Sequence, residues 1–92
     1  MGYYLKDPAS SLDYVVDWQA GLGSARIVSS SWSVVPNEPG GIALAASLRE
    51  DTRTAATLAG GVTGRVYRIG NRIERDDGNV DERAITIRVE RR

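Results

Sequence analysis

The sequence has no cysteine, no histidine and no phenylalanine, and Lys6 is its only lysine. Without cysteine there is no disulfide and no thiolate nucleophile. Without histidine, the commonest zinc ligand and the commonest acid–base group near neutral pH are both missing. Ser29-Ser30-Ser31 offers hydroxyls but no base to activate them. No apolar run approaches the roughly 20 residues of a membrane span. The first residues lack the basic-flanked apolar core of a secretory signal. Met1-Gly2 opens like a myristoylation site, but Lys6 stands where serine or threonine is needed. These gaps predict a protein that is not an enzyme and takes no cofactor, no metal and no small-molecule substrate. They also predict no membrane partner.

Charge is balanced, with 12 basic and 12 acidic residues. No sustained basic block exists to draw in phosphate, so nucleic acid is not an expected partner. Arg65, Arg68, Arg72 and Arg88 are interleaved with Glu74, Glu82 and Glu90. Cross-strand ion pairs on a wet sheet face are the simplest expectation for them.

What the chain does have is alternation. Leu12, Tyr14, Val16 and Trp18 recur with period two, the pattern of a strand with one buried face. Gln19 to Ser24 reads as a turn. Ile27 to Val35 is a second strand, unevenly spaced, so a bulge is expected. Pro36 to Gly41 is a loop. Ile42 to Leu48 is alanine-rich and short, and it follows two glycines; it reads as a strand. Arg49 to Arg53 reads as a polar turn, and Thr54 to Leu58 as a short strand ended by Gly60-Gly61.

The clearest pattern comes last. Tyr67, Ile69, Asn71 and Ile73 share one face, and Asp76 to Asn79 marks a hairpin turn. Ile85, Ile87 and Val89 follow on the partner strand. Gly64 three residues before Tyr67 places that tyrosine where a tyrosine corner sits, with its ring buried and its hydroxyl bound to nearby backbone. The prediction is an all-β fold: an immunoglobulin-like antiparallel β-sandwich of about seven short strands. Residues 1–11 are expected as a flexible N-terminal arm, and residues 12–92 as a single domain.

Three motifs look like chemistry and have plainer readings. Asp77-x-Asn79-x-Asp81 has the spacing that opens a calcium loop. Glu82 stands where that loop needs glycine, and Arg88 stands where it needs its bidentate acid, so a polar hairpin tip is expected. Gly60 to Gly64 resembles a phosphate cradle without the lysine and hydroxyl that follow in a P-loop. Asp13 and Asp17 share a strand face about 13 Å apart and are expected as solvated acids. The arm is different. Tyr3, Tyr4, Leu5 and Lys6 have no place in the sandwich pattern, and they are the candidate partner-binding residues; covering a sheet edge is the competing reading.

Lys6-Asp7-Pro8, Leu12-Asp13-Tyr14 and Asp17-Trp18 resemble the opening of phage fiber–tail adaptor proteins. Ile27 through Ser31-Trp32, Tyr67-x-Ile69-x-Asn71-x-Ile73 and Arg83-x-Ile85-x-Ile87-x-Val89 are similar to that family's later strands, though many immunoglobulin- and PKD-like modules share the last two. The resemblance implies a non-catalytic structural protein of the virion tail, made in the host cytoplasm. It implies several copies in a symmetric assembly, joining tail or connector proteins to fibres or neighbouring tail components. Two rivals stay open at this stage. One is a capsid-associated decoration or head–tail joining protein. The other is a carbohydrate-binding sandwich using Trp18 or Trp32 as a stacking platform.

Overall fold

A computed structural model describes residues 2–91. It contains seven strands: β1 (Gly2–Lys6), β2 (Ser11–Asp17), β3 (Ile27–Val35), β4 (Ile42–Arg49), β5 (Arg53–Gly60), β6 (Val66–Arg75) and β7 (Val80–Val89). A single helical turn, α1 (Gln19–Leu22), lies in the segment expected as a turn. The strands form two sheets, ordered β1-β7-β6-β3 and β2-β5-β4. That is the immunoglobulin-like sandwich, with the first strand carried across to the edge of β7.

The inward phase of each strand builds the core. Leu58, Tyr67, Ile69, Ile87 and Val89 are fully buried in one apolar cluster. Val16, Trp18, Leu22, Ile27 and Ile73 form a second. Tyr14 and Trp32 pack against both clusters. Their rings meet edge to face at 5.7 Å between centroids, a favoured geometry for aromatic pairs. Burying each such aliphatic side chain contributes roughly 1.5–3 kcal/mol.

Between the two clusters runs a chain of hydrogen bonds. The Trp18 indole donates to Thr54 Oγ1 at 3.1 Å, and that hydroxyl donates to Asn71 Oδ1 at 2.6 Å. Asn71 Nδ2 then donates to Ser30 Oγ at 2.8 Å and to the Ser31 carbonyl at 3.0 Å. Thr54 belongs to one sheet and Asn71 to the other, so the Thr54–Asn71 bond rivets them together. Asn71 therefore shares the inward face with Tyr67, Ile69 and Ile73 without breaking the rule that buried polar groups are paired.

The tyrosine corner is present. Tyr67 is fully buried, and its hydroxyl accepts from Val62 N at 3.0 Å and donates to Glu38 Oε2 at 2.7 Å. Burial, with the Glu38 bond adding to it, pushes this phenol above its ordinary pKa. The glycine pairs serve a close approach. At Gly61 φ is +115°, and a Cβ there would fall 2.6 Å from Val89. Gly61 N donates to Gly40 O at 3.1 Å, which ties the two loops at this end of the sandwich.

One expected strand gains a detail, and three expectations need correcting. The strand over Ile42–Leu48 is real, but its ladder shifts between Leu44 and Ala46, and this bulge is why the alternation there is hard to read. Among the described residues, the expected Arg–Glu cross-strand pairs do not form. Arg72 stands opposite Glu82, yet Arg88 pairs with Glu90 on its own strand and Arg65 with Glu38. Exposed cross-strand pairs gain too little to hold two long side chains in place. The sheets are not purely antiparallel, because β1 runs parallel to β7. Residues 2–6 are a paired edge strand, where an arm was expected. The first strand finds its backbone partners 83 residues away along the chain, Gly2 opposite Ile85, so nothing local in the sequence signals it.

Replacing Asn71 by Leu should cost about 2–3 kcal/mol, since the Thr54 hydroxyl and the Ser31 carbonyl lose their partner in the core. Urea unfolding would register this as a lower midpoint at unchanged slope. An unaltered midpoint would show that the rivet carries no weight.

Candidate functional site

The candidate residues lie on β1. Gly2 to Lys6 pair in parallel with Ile85 to Val89. Alternation along the strand sends Tyr3 and Leu5 to the outer face, where they are 62% and 48% exposed. Tyr4 and Lys6 point the other way, and they differ sharply. Tyr4 stays 43% exposed at the mouth between the sheets, whereas Lys6 is 2% exposed. So the four residues grouped by sequence split into three that a partner can reach and one that it cannot.

Lys6 anchors the strand. Its ammonium donates to Gly60 O at 2.7 Å and to Asp7 O at 3.0 Å. Glu90 N donates to Lys6 O at 2.9 Å. Burial pulls the Lys6 pKa below the ordinary lysine value, and the nearby Asp7 partly restores it. Asp7 also caps the turn that follows, accepting from Ala9 N at 2.8 Å. Pro8 sits in that turn, so the chain leaves β1 by a tight bend before entering β2.

The other sequence candidates are structural. Arg75 takes Asp77 and Asp81 at 2.8 and 3.1 Å. A guanidinium thus already occupies the carboxylates of the calcium-like spacing. It also reaches the Gly21 and Leu22 carbonyls, pinning the hairpin base to α1. The backbone hydrogen bond from Asn79, followed by the Arg75 charge, lowers the Asp77 pKa despite some desolvation. Asp13 accepts from the Thr57 hydroxyl, and Asp17 from Gln19 N.

Neither tryptophan is fully exposed. Trp18 is 4% exposed, with the Arg83 guanidinium 4.8 Å above its ring. Trp32 is half-buried against Tyr14.

Arg83 is the residue that sequence reading missed. It stands on the inward phase of β7, in line with Ile85, Ile87 and Val89. A charge continuing an apolar face was a readable signal. It covers Trp18 and donates to Asp17 O at 3.4 Å, leaving its positive charge without a carboxylate among the described residues. Burial, then neighbouring Tyr4, push the nearby Tyr14 phenol up, while Arg83 pulls it down. Tyr4, Tyr14 and Arg83 thus share one neighbourhood beside β1.

A family model described as podophage GP4 fiber-tail adaptor protein gp77 matches residues 6–88. The match begins at Lys6, so it covers the sandwich from the anchor of β1 onward and not the exposed Tyr3, Tyr4 and Leu5. No curated protein matches the chain.

The anchor makes a prediction. In the unfolded chain Lys6 titrates near 10.4; in the fold its pKa is lower. The native state therefore holds fewer protons in the window between the two values, and stability gains there as pH rises. Lys6→Met removes this term. Relative to that variant, the wild type should gain stability between neutral pH and about pH 10. Denaturant midpoints of both proteins across this range test it, and parallel profiles would refute it.

Proposed function

The chain belongs to the podophage GP4 fiber-tail adaptor family, and from that premise we propose that it works without catalysis, joining tail or connector proteins to fibres. The family makes it a structural component of the phage tail. In this reading several copies sit on each tail, and none carries out a reaction. The observation that carries it is the family match across nearly all of the sandwich.

The surface supports the reading. Tyr3 and Leu5 lie exposed on an edge strand, and tyrosine provides large contact area at small entropic cost. The strand holding them is fixed by Lys6, so they are presented rigidly and little ordering cost falls on association. Repeated copies would let contacts of modest strength sum through avidity.

Tails assembled without this chain should lack fibres, and adding the full chain back should restore them. The double variant Tyr3→Ser/Leu5→Ser should melt within about 4 °C of the wild type, because both side chains are exposed. It should nevertheless reduce the fraction of fibre-bearing particles seen by electron microscopy. Fibres on tails that lack the chain would overturn the adaptor reading.

A further inference from the structure

The outer faces of the two sheets carry triplets of opposite charge. On β2, Leu12, Tyr14 and Val16 take the inward phase, so Asp13, Val15 and Asp17 face outward. On β6, Tyr67, Ile69, Asn71 and Ile73 take the inward phase, so Arg68, Gly70 and Arg72 face outward. Each triplet sets two like charges on one face about 13 Å apart. β2 and β6 belong to different sheets, so the triplets look out from opposite sides of the sandwich.

Their middle residues differ in height. Val15, Ala55 and Leu48 form one cross-strand row, and Val15 and Leu48 are both exposed. The solvated face of an antiparallel sheet is ordinarily polar; this row is an apolar ridge. Gly70 lies between Ala84 and Ser33 in its own row. No side chain there is longer than serine, so the surface is low between the two arginines.

The charges are open. Arg68 and Arg72 form no ion pair among the described residues, although Glu82 stands opposite Arg72. The other charges on that face are engaged: Glu74 accepts from the Ser29 hydroxyl, and Arg88 pairs with Glu90. Asp13 and Asp17 hold only neutral donors, the Thr57 hydroxyl and Gln19 N. Arg53, the cation beside Asp17 in the ladder, is already paired with Glu50 at 2.6 Å.

We infer that a second copy of this chain docks front to back, with Asp13-Val15-Asp17 of one copy over Arg68-Gly70-Arg72 of the next. The valine ridge lies above the glycine row, and the acids meet the arginines at the same spacing. Charge selects this geometry. Two like faces brought together would set acid against acid or arginine against arginine, which is costly. The complement of each face is carried by the same chain, on its other side. A contact between unlike faces leaves each copy one free face of each kind at the ends, so it can repeat from copy to copy. The inference rests on the several-copies part of the adaptor reading and names the surfaces through which copies meet.

The chain has no native cysteine, so Val15→Cys and Ser33→Cys each give one thiol, on β2 and β3. Tails assembled with an equal mixture of the two full-length chains would be treated with a short bismaleimide that spans the roughly 10 Å between facing sheets. Cross-linked peptides would be mapped by mass spectrometry. The expected product joins position 15 of one chain to position 33 of another. Placing Arg68→Glu and Arg72→Glu on the Ser33→Cys chain should lower its yield per incorporated chain about tenfold, the equivalent of 1.4 kcal/mol, while the melting midpoint stays within about 4 °C. Asp13→Arg and Asp17→Arg on the Val15→Cys chain should then restore the yield. Products joining position 15 to position 15, products joining position 15 only to a different tail protein, no product at all, or a yield unchanged by the arginine reversals would each overturn the front-to-back contact. The adaptor reading is scored separately, by fibres on the same tails, and would survive any of these.

Discussion

One hydrogen bond, from the Thr54 hydroxyl to Asn71 at 2.6 Å, sets how the two sheets face each other. Apolar packing is non-directional: the clusters around Leu58 and around Trp18 would accept small slips of one sheet over the other. A buried hydroxyl and a buried amide do not, because each unpaired polar atom would cost about 1–3 kcal/mol. The bond sits between the clusters and is extended on one side to the Trp18 indole and on the other to β3. It thereby fixes Trp18 at the end of β2. Arg83 can then lie over Trp18, and the position of β2 against the edge of β7 follows.

The parts legible in the sequence are those whose partners are close along the chain or whose pattern needs no partner. The β6–β7 hairpin announced itself by strict alternation and a turn, and Tyr67 by its glycine. What stayed hidden depends on distant contacts. Five residues around Tyr3-Tyr4 carry no strand pattern of their own, since their pairing is with Ile85–Val89. Lys6 reads as a surface residue because lysine seldom has three fixed acceptors inside a domain. The Gly60 carbonyl, brought in by a turn with φ of +79°, together with the Asp7 carbonyl makes its burial tolerable. Of the four candidate residues, the fold leaves Tyr3, Tyr4 and Leu5 exposed and buries Lys6. Arg83 was not singled out, although a charge on the apolar phase of β7 was there to be read.

Every open sheet has edges, and an exposed edge invites unwanted pairing. This fold treats its edges differently from one another. The β4 edge is broken by a bulge. The β2 edge carries Asp13 and Asp17. The β7 edge is paired with β1 over Ile85–Val89, and the pairing strand is locked by a buried lysine.

On the proposed reading, such an arrangement suits a joint. The chain has no histidine, and the carboxylates of its hairpin tip are already held by Arg75. On that reading, a partner would meet Tyr3 and Leu5 on an anchored strand of a body riveted sheet to sheet, so that little of the ordering cost of association falls on this chain. Presented by several copies around a tail, contacts of modest strength become strong through effective concentration. A sandwich of 92 residues is then large enough, because the task requires a fixed edge and not a deep cavity.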